Sequence, residues 1–165
     1  MTALFIGIAL LGIYLGYVIA VDGKVPPSIS DSFYTSGKWW FTLVMFAESI
    51  LLAISLIGVT PSPWQFLAFL SCAGLGFVGS APHCHDKYEK KVHYAGAFTF
   101  AIGSQLWYWI VPLPCDKPFL VWVFAITWAL AVGLCFCFKK NVTFIAEIAC
   151  IITIIFGRSA LCYIN

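Results

Sequence analysis

The chain has 165 residues, of which 62% are hydrophobic and only 10% are charged, and its formal net charge is +2. Soluble proteins are roughly 45–50% apolar, so this composition excludes a soluble globular domain and indicates a polytopic membrane protein. The few basic residues flank apolar segments, which argues against a nucleic-acid partner and favours contact with membrane lipid head groups.

Along the chain, six apolar segments are long enough to cross a membrane, since a span needs about 20 residues. We predict that they form one all-α transmembrane domain covering residues 1–165, a six-transmembrane-helix antiparallel bundle with short loops. The third segment is short and rich in glycine, and the sixth contains two ionisable residues. The predicted spans are residues 3–21, 39–59, 64–81, 92–111, 119–138 and 142–161.

The first segment has an alternative interpretation as a secretory signal peptide. Val18-Ile19-Ala20 resembles a small-residue cleavage site. Against this, no basic residue precedes Leu4, and the apolar run is longer than the usual 7–15 residues of a signal peptide. We therefore expect the first segment to be a membrane span.

The loop between the first two spans is the longest polar segment, and we call residues 22–38 loop one. Pro26 and Pro27 predict an extended chain there, because proline fixes φ and restricts the residue before it. The serines that follow predict side-chain caps on a short helix. Gly12 and Gly16 in the preceding span predict a close helix contact, either within the chain or in a homo-oligomer.

Lysines are concentrated in the loops after the first, third and fifth spans, whereas the opposite side has only Lys117 and Arg158. The positive-inside rule predicts that the lysine-rich loops face the cytoplasm and that both termini face outward. The expected location is a plasma or inner membrane. The lysines concerned are Lys24, Lys38, Lys87, Lys90, Lys91, Lys139 and Lys140.

The seven cysteines do not predict a disulfide framework. Four of them fall inside predicted spans, where cysteine behaves as a small apolar residue. Cys84 and Cys115 lie on opposite sides of the membrane in this topology and cannot pair. A disulfide between Cys115 and Cys162 stays open, because these two residues would share a side.

Three ionisable side chains lie within the spans: Glu48, Glu147 and Arg158. Lipid penalises buried charge, so such residues are candidates for function. Glu48 lies about nine residues into its span, close to the middle of the bilayer. A carboxyl group there is protonated, paired or exposed to a wet cavity. Gln105 in the fourth span is a candidate interhelical partner for it.

Other polar residues are predicted to lie in the same, lysine-rich half of the bundle. His93 opens the fourth span, and Ser30 and Asp31 lie in loop one. Glu147 enters the sixth span from that side, whereas Arg158 lies too far along the helix to pair with it directly. The candidate ligand-binding residues are Glu48, His93, Glu147, Ser30, Asp31 and Gln105, and the first three are also the candidates for catalysis.

A metal site is the alternative interpretation of the histidines. His83 and His85, together with His93, have ligand types that suit zinc. Their spacing matches no standard zinc motif, and neighbouring lysines disfavour a divalent cation. We therefore predict a solvated interfacial loop and no cofactor.

Two segments resemble a known membrane family, the damage-regulated autophagy modulator family. The first is Pro27-Ser28-Ile29-Ser30-Asp31 after the first span. The second is His93-Tyr94-Ala95-Gly96-Ala97-Phe98 at the start of the fourth span, with Gly103 and Gln105 further along. The family resembles this chain in its six-span layout, with an Ile-Ser-Asp loop after the first helix and a His-x-x-Gly-Ala start to the fourth.

The resemblance implies a lipid-associated membrane function, since relatives are linked to the remodelling of GPI-anchor lipids and to scaffolding of a lipid kinase. It places Ser30, Asp31, His93 and Gly96 at the family's motif positions. The Pro-Glu pair expected after the loop is absent here. The family loop lies on the luminal or outer side, whereas the lysine distribution predicts the cytoplasm, so the orientation stays open.

Four functional hypotheses follow. The first is a protein that binds a lipid or a small amphipathic ligand in a polar cluster inside the bundle. The second is an intramembrane enzyme that modifies lipid, with His93 and a carboxylate as acid and base. The third is a proton- or ion-coupled transporter using Glu48 and Glu147, although no inverted repeat is apparent. The fourth is a structural or assembly subunit.

Overall fold

The computed structural model describes residues 1–81, 87–112 and 118–161. Within these residues the secondary structure is entirely helical, as the all-α prediction requires. Short 3₁₀ helices lie at Ser30–Tyr34, Ser62–Trp64 and Lys139–Asn141. The α-helices are α1 (Thr2–Asp22), α2 (Lys38–Ile57), α3 (Gln65–Ser80), α4 (Lys87–Ile110), α5 (Phe119–Cys137) and α6 (Val142–Leu161).

Four of the described helices are long and apolar enough to cross a membrane, which indicates a membrane protein. They are α1, α2, α5 and α6, the last together with the turn before it. With 16 residues, α3 is about 24 Å long, less than the roughly 30 Å of a hydrocarbon core. Helix α4 begins with a charged turn and carries polar residues such as His93 and Gln105 along its length.

The helices pack in an order that differs in one place from the order of the chain. Helices α1 to α4 pack consecutively, and α5 packs against α6, as short connections predict. However, α4 packs its backbone against α6 rather than α5. The predicted order of neighbouring helices therefore agrees with the packing except at this step, where tertiary packing outweighs chain order.

Glycines allow the closest helix crossing, between α3 and α4. A Cβ atom added to Gly74 would lie 2.5 Å from the backbone nitrogen of Phe100, and one added to Gly96 would lie 2.8 Å from the Gly74 carbonyl oxygen. By contrast, no atom of the described chain lies within 4 Å of a Cβ added to Gly12 or Gly16. The predicted contact at these two glycines is not made within the described chain.

Several buried polar side chains in the bundle are paired with groups on other segments, as expected where lipid offers no hydrogen bonds. The Trp107 indole donates to the Thr60 hydroxyl at 2.9 Å. The Arg158 guanidinium is only 5% exposed and donates to the Ser55 carbonyl oxygen at 2.5 Å, which ties α6 to α2. These two contacts lie towards the end of the bundle opposite loop one, and they hold the helices around an internal cavity.

Candidate functional site

Loop one docks on the first turns of α6. The Phe144 N–H donates to the Pro27 carbonyl oxygen at 3.0 Å, and the Asn141 amide donates to the Pro26 carbonyl oxygen at 2.9 Å. The first N–H groups of a helix have no partner inside the helix, so an extended loop that presents carbonyl oxygens is a natural cap for them. The two prolines thus favour the extended conformation in which loop one packs over the start of α6.

Glu147 completes this docking. Its Oε2 atom accepts a hydrogen bond from the Ile29 N–H at 2.6 Å, across 118 residues of chain. Ile29 itself is only 6% exposed, so its N–H depends on that carboxyl group. Glu147, which the sequence predicts to bind a ligand, therefore also holds loop one in place.

Hydroxyl groups shape the turn that follows in loop one. The Ser28 hydroxyl accepts a hydrogen bond from the Asp31 N–H at 3.0 Å and lies 3.0 Å from the Ser30 hydroxyl. The serine side chains therefore bond to local backbone as predicted, although Ile29, the residue that caps the short helix, makes no side-chain cap. The Ser32 hydroxyl lies 2.5 Å from the Tyr14 hydroxyl of α1, so the turn is fixed on that side too.

Four of the predicted site residues meet in one polar pocket of about 310 Å³ between loop one, α4 and the start of α6. They are Ser30, Asp31, His93 and Glu147. The complete lining is Ser28, Ser30, Asp31, Tyr34, Lys90, His93, Tyr94, Ala97, Thr143 and Glu147.

His93 is held in a defined orientation. It is 6% exposed, and its Nδ1 atom lies 3.1 Å from the Ala81 carbonyl oxygen. A carbonyl oxygen only accepts hydrogen bonds, so Nδ1 carries the proton in this contact, and the neutral ring then has its lone pair on Nε2. An imidazole in this state can accept a hydrogen bond or a proton.

A second, larger space continues from the polar pocket into the bundle. This apolar cavity has a volume of about 460 Å³ and is lined mainly by aliphatic and aromatic side chains of α1, α2, α4 and α6. Its volume falls within the roughly 300–1,000 Å³ of small-molecule sites. The apolar cavity and the polar pocket share wall residues, namely Ser30, Tyr94, Ala97, Thr143 and Glu147.

Glu48 lines the apolar cavity rather than the polar pocket. Its carboxyl group lies against α1 at Gly7, where an added Cβ would be 2.8 Å from Oε2. Its Oε1 atom is buried and has no hydrogen-bond partner among the described residues. An unpaired buried oxygen costs roughly 1–3 kcal/mol, and the other described side-chain oxygens in this condition are those of Ser36 and Thr42.

The predicted pair between Glu48 and Gln105 is wrong. The Gln105 amide donates to the Thr153 hydroxyl at 3.0 Å and accepts from the Trp128 indole at 3.3 Å. It lines neither space and instead joins α4 to α5 and α6. These partners could not be predicted from the sequence, because they lie on α5 and α6, and the faces that these helices turn towards α4 depend on packing.

Among the described residues no group of three or more His, Cys, Asp or Glu side chains could hold an ion, and the metal alternative itself stays a prediction. His83 and His85 lie outside the described residues, as do Cys84, Cys115 and Cys162.

The polar pocket is also lined by side chains that were not predicted as site residues, namely Lys90, Tyr94 and Tyr34. The Lys90 ammonium lies 5.9 Å from the centroid of the Tyr94 ring, and Tyr34 lines the pocket from loop one. Lys90 and Tyr94 are four residues apart, so they share a helix face with each other and lie close to the turn that carries His93. Their spacing relative to His93 was the feature of the sequence from which Lys90 and Tyr94 could have been predicted as site residues.

Comparison with known proteins does not extend this description. No family model, curated protein or solved structure matches the chain.

The contact between Glu147 and Ile29 gives a stability prediction. Glu147→Ala leaves the buried Ile29 N–H without an acceptor, so we expect a loss of about 1–3 kcal/mol in the free energy of unfolding. Glu147→Gln keeps an amide oxygen at the same place and should lose less than half as much. Thermal unfolding in detergent measures both, and equal losses for the two variants would show that the hydrogen bond does not hold the loop.

Proposed function

We propose that this chain is an integral membrane protein of six transmembrane helices that binds one lipid molecule. The acyl chain would occupy the apolar cavity and the head group the polar pocket. The observation that carries this proposal is the shared wall: one apolar and one polar space meet at Ser30, Tyr94 and Glu147. An amphipathic molecule has this distribution of polarity.

The packing of α3 and α4 supports the six-span layout. Helix α3 packs between α2 and α4, and the apolar side chains of Phe66, Phe69 and Phe77 on its outer face are exposed, as contact with lipid tails would require. The charged first turn of α4 would then lie at the membrane surface, on the side of loop one. If the lysine distribution sets the orientation, the polar pocket faces the cytoplasm and the bound lipid comes from the cytoplasmic leaflet.

Lateral entry of a lipid is supported by the arrangement of α1 and α6. Both helices line the apolar cavity, yet they are not among the pairs that pack closely. Cavity-lining side chains remain accessible from outside, since Ile8 on α1 is 38% exposed and Phe98 on α4 is 67% exposed. A lipid tail could therefore enter from the bilayer without unfolding a helix.

A cavity-filling variant tests the lipid proposal. Ala101 lines the apolar cavity, and Ala101→Phe should occupy space needed by the acyl chain. We expect native mass spectrometry in mild detergent to show a lipid adduct on the wild type and at least a tenfold lower adduct fraction on this variant. The matched control is Ala129→Phe on the exposed surface of α5, which should keep the adduct. Equal adduct fractions for the two variants would contradict the proposal.

Glu48 gives a second, independent prediction. Replacing a buried unpaired polar group by an apolar one of similar length is neutral or stabilising, so Glu48→Met should unfold at the same or a higher temperature than the wild type. If Oε1 pairs with a polar group of the lipid, the same variant should lose most of the lipid adduct. A fully retained adduct would remove Glu48 from the binding site.

A lipid-modifying enzyme is the second candidate function, and the burial and orientation of His93 support it. Its imidazole lines the polar pocket together with Asp31, and a general base needs such a fixed position near the substrate. If the pocket performs chemistry, the mass of the bound lipid should change with time in the wild type. His93→Gln should then retain an unchanged lipid. A lipid mass that stays constant in the wild type would exclude this candidate for that lipid.

A further inference from the structure

The polar pocket presents groups of both charge signs to whatever occupies it. The carboxyl groups of Asp31 and Glu147 and the ammonium of Lys90 line the same space. A purely anionic head group would meet two carboxyl groups, an arrangement that like-charge juxtaposition disfavours. A head group with only hydroxyl groups would leave the Lys90 charge without an opposite charge in the ligand.

Two tyrosine residues, Tyr34 and Tyr94, line the pocket together with these charged groups. Tyrosine ring faces attract cations within about 6 Å, and the Lys90 ammonium lies 5.9 Å from the Tyr94 ring centroid. This contact places Lys90 at the wall of the pocket. The second tyrosine, Tyr34, lines the pocket three residues after Asp31. A carboxylate next to an aromatic ring is a recurrent way to bind a cationic amine, because the ring and the carboxylate attract the same charge.

We propose, on the basis of the lipid-binding function above, that the polar pocket selects a zwitterionic phospholipid head group. The cationic amine would lie between Asp31 and Tyr34, and the phosphate would lie against Lys90. A lysine ammonium is a compact point charge that suits a phosphate. Glu147 holds loop one through Ile29 and adds a second carboxyl group to the lining of the pocket. The apolar cavity below receives the acyl chain.

The test offers four lipids with identical acyl chains to the delipidated full-length protein in equimolar amounts. They are phosphatidylethanolamine, phosphatidylcholine, phosphatidylglycerol and monogalactosyl diacylglycerol. Native mass spectrometry then measures the bound fraction of each. We expect one or both zwitterionic lipids to exceed phosphatidylglycerol and the galactolipid by about tenfold, a ratio that one charge-assisted hydrogen bond can supply.

Variants separate the two ends of the head group. Asp31→Asn keeps its backbone contact with Ser28 and should reduce the preference over phosphatidylglycerol to about twofold or less. Tyr34→Leu changes an exposed ring and should lower the same preference. Lys90→Gln should weaken all three phospholipids relative to the galactolipid. The matched controls are Glu89→Gln and Lys91→Gln, which line neither space and should behave as the wild type.

The outcomes distinguish this inference from the function on which it rests. Equal binding of all four lipids, or a preference for phosphatidylglycerol or the galactolipid, would overturn the head-group inference and leave lipid binding intact. Binding of none of the four lipids would overturn both. A wild-type preference that survives in Asp31→Asn, Tyr34→Leu and Lys90→Gln would show that the selection occurs elsewhere.

Discussion

The hydrogen bonds between loop one and the first turns of α6 are the contacts on which both internal spaces depend. Ile29 and Ser30 line the apolar cavity only because Glu147 and the α6 N-terminus hold the loop against the bundle. The same contacts place Asp31 in the polar pocket. Loop one thereby covers one end of the apolar cavity with polar groups.

The polar side chains inside the bundle fall into two groups. Arg158, Gln105 and Ser49 reach partners on neighbouring helices, and this pairing is what lipid demands of any buried polar group. Glu48 differs because Oε1 has no partner among the described residues and lies in the wall of the apolar cavity. Among the ionisable residues predicted inside the spans, Glu48 is therefore the one whose unpaired oxygen makes it a specific candidate for contact with a ligand.

The sequence predicted the helices better than their mutual arrangement. Apolar run lengths placed most helix ends within a few residues, and the serines predicted the short helix after Ile29. Ser30, Asp31, His93 and Glu147 were expected in one half of the bundle, and the structure brings them to one pocket. The side-chain partners of Gln105 could not be predicted, because helix rotation depends on shape at the crossings. The hydropathy of a segment indicates that a helix lies in the membrane, but it does not indicate which residue of that helix faces which neighbour.

Photo-crosslinking with a phosphatidylethanolamine that carries a diazirine on its acyl chain would locate the lipid tail within the protein. If the tail occupies the apolar cavity, peptides containing cavity-lining residues, such as Leu11 of α1 and Ile151 of α6, should carry most of the crosslinked mass. An unlabelled lipid should compete for these positions. Crosslinks confined to outward-facing residues such as Trp122 and Leu130 of α5, without saturation, would contradict this location of the tail.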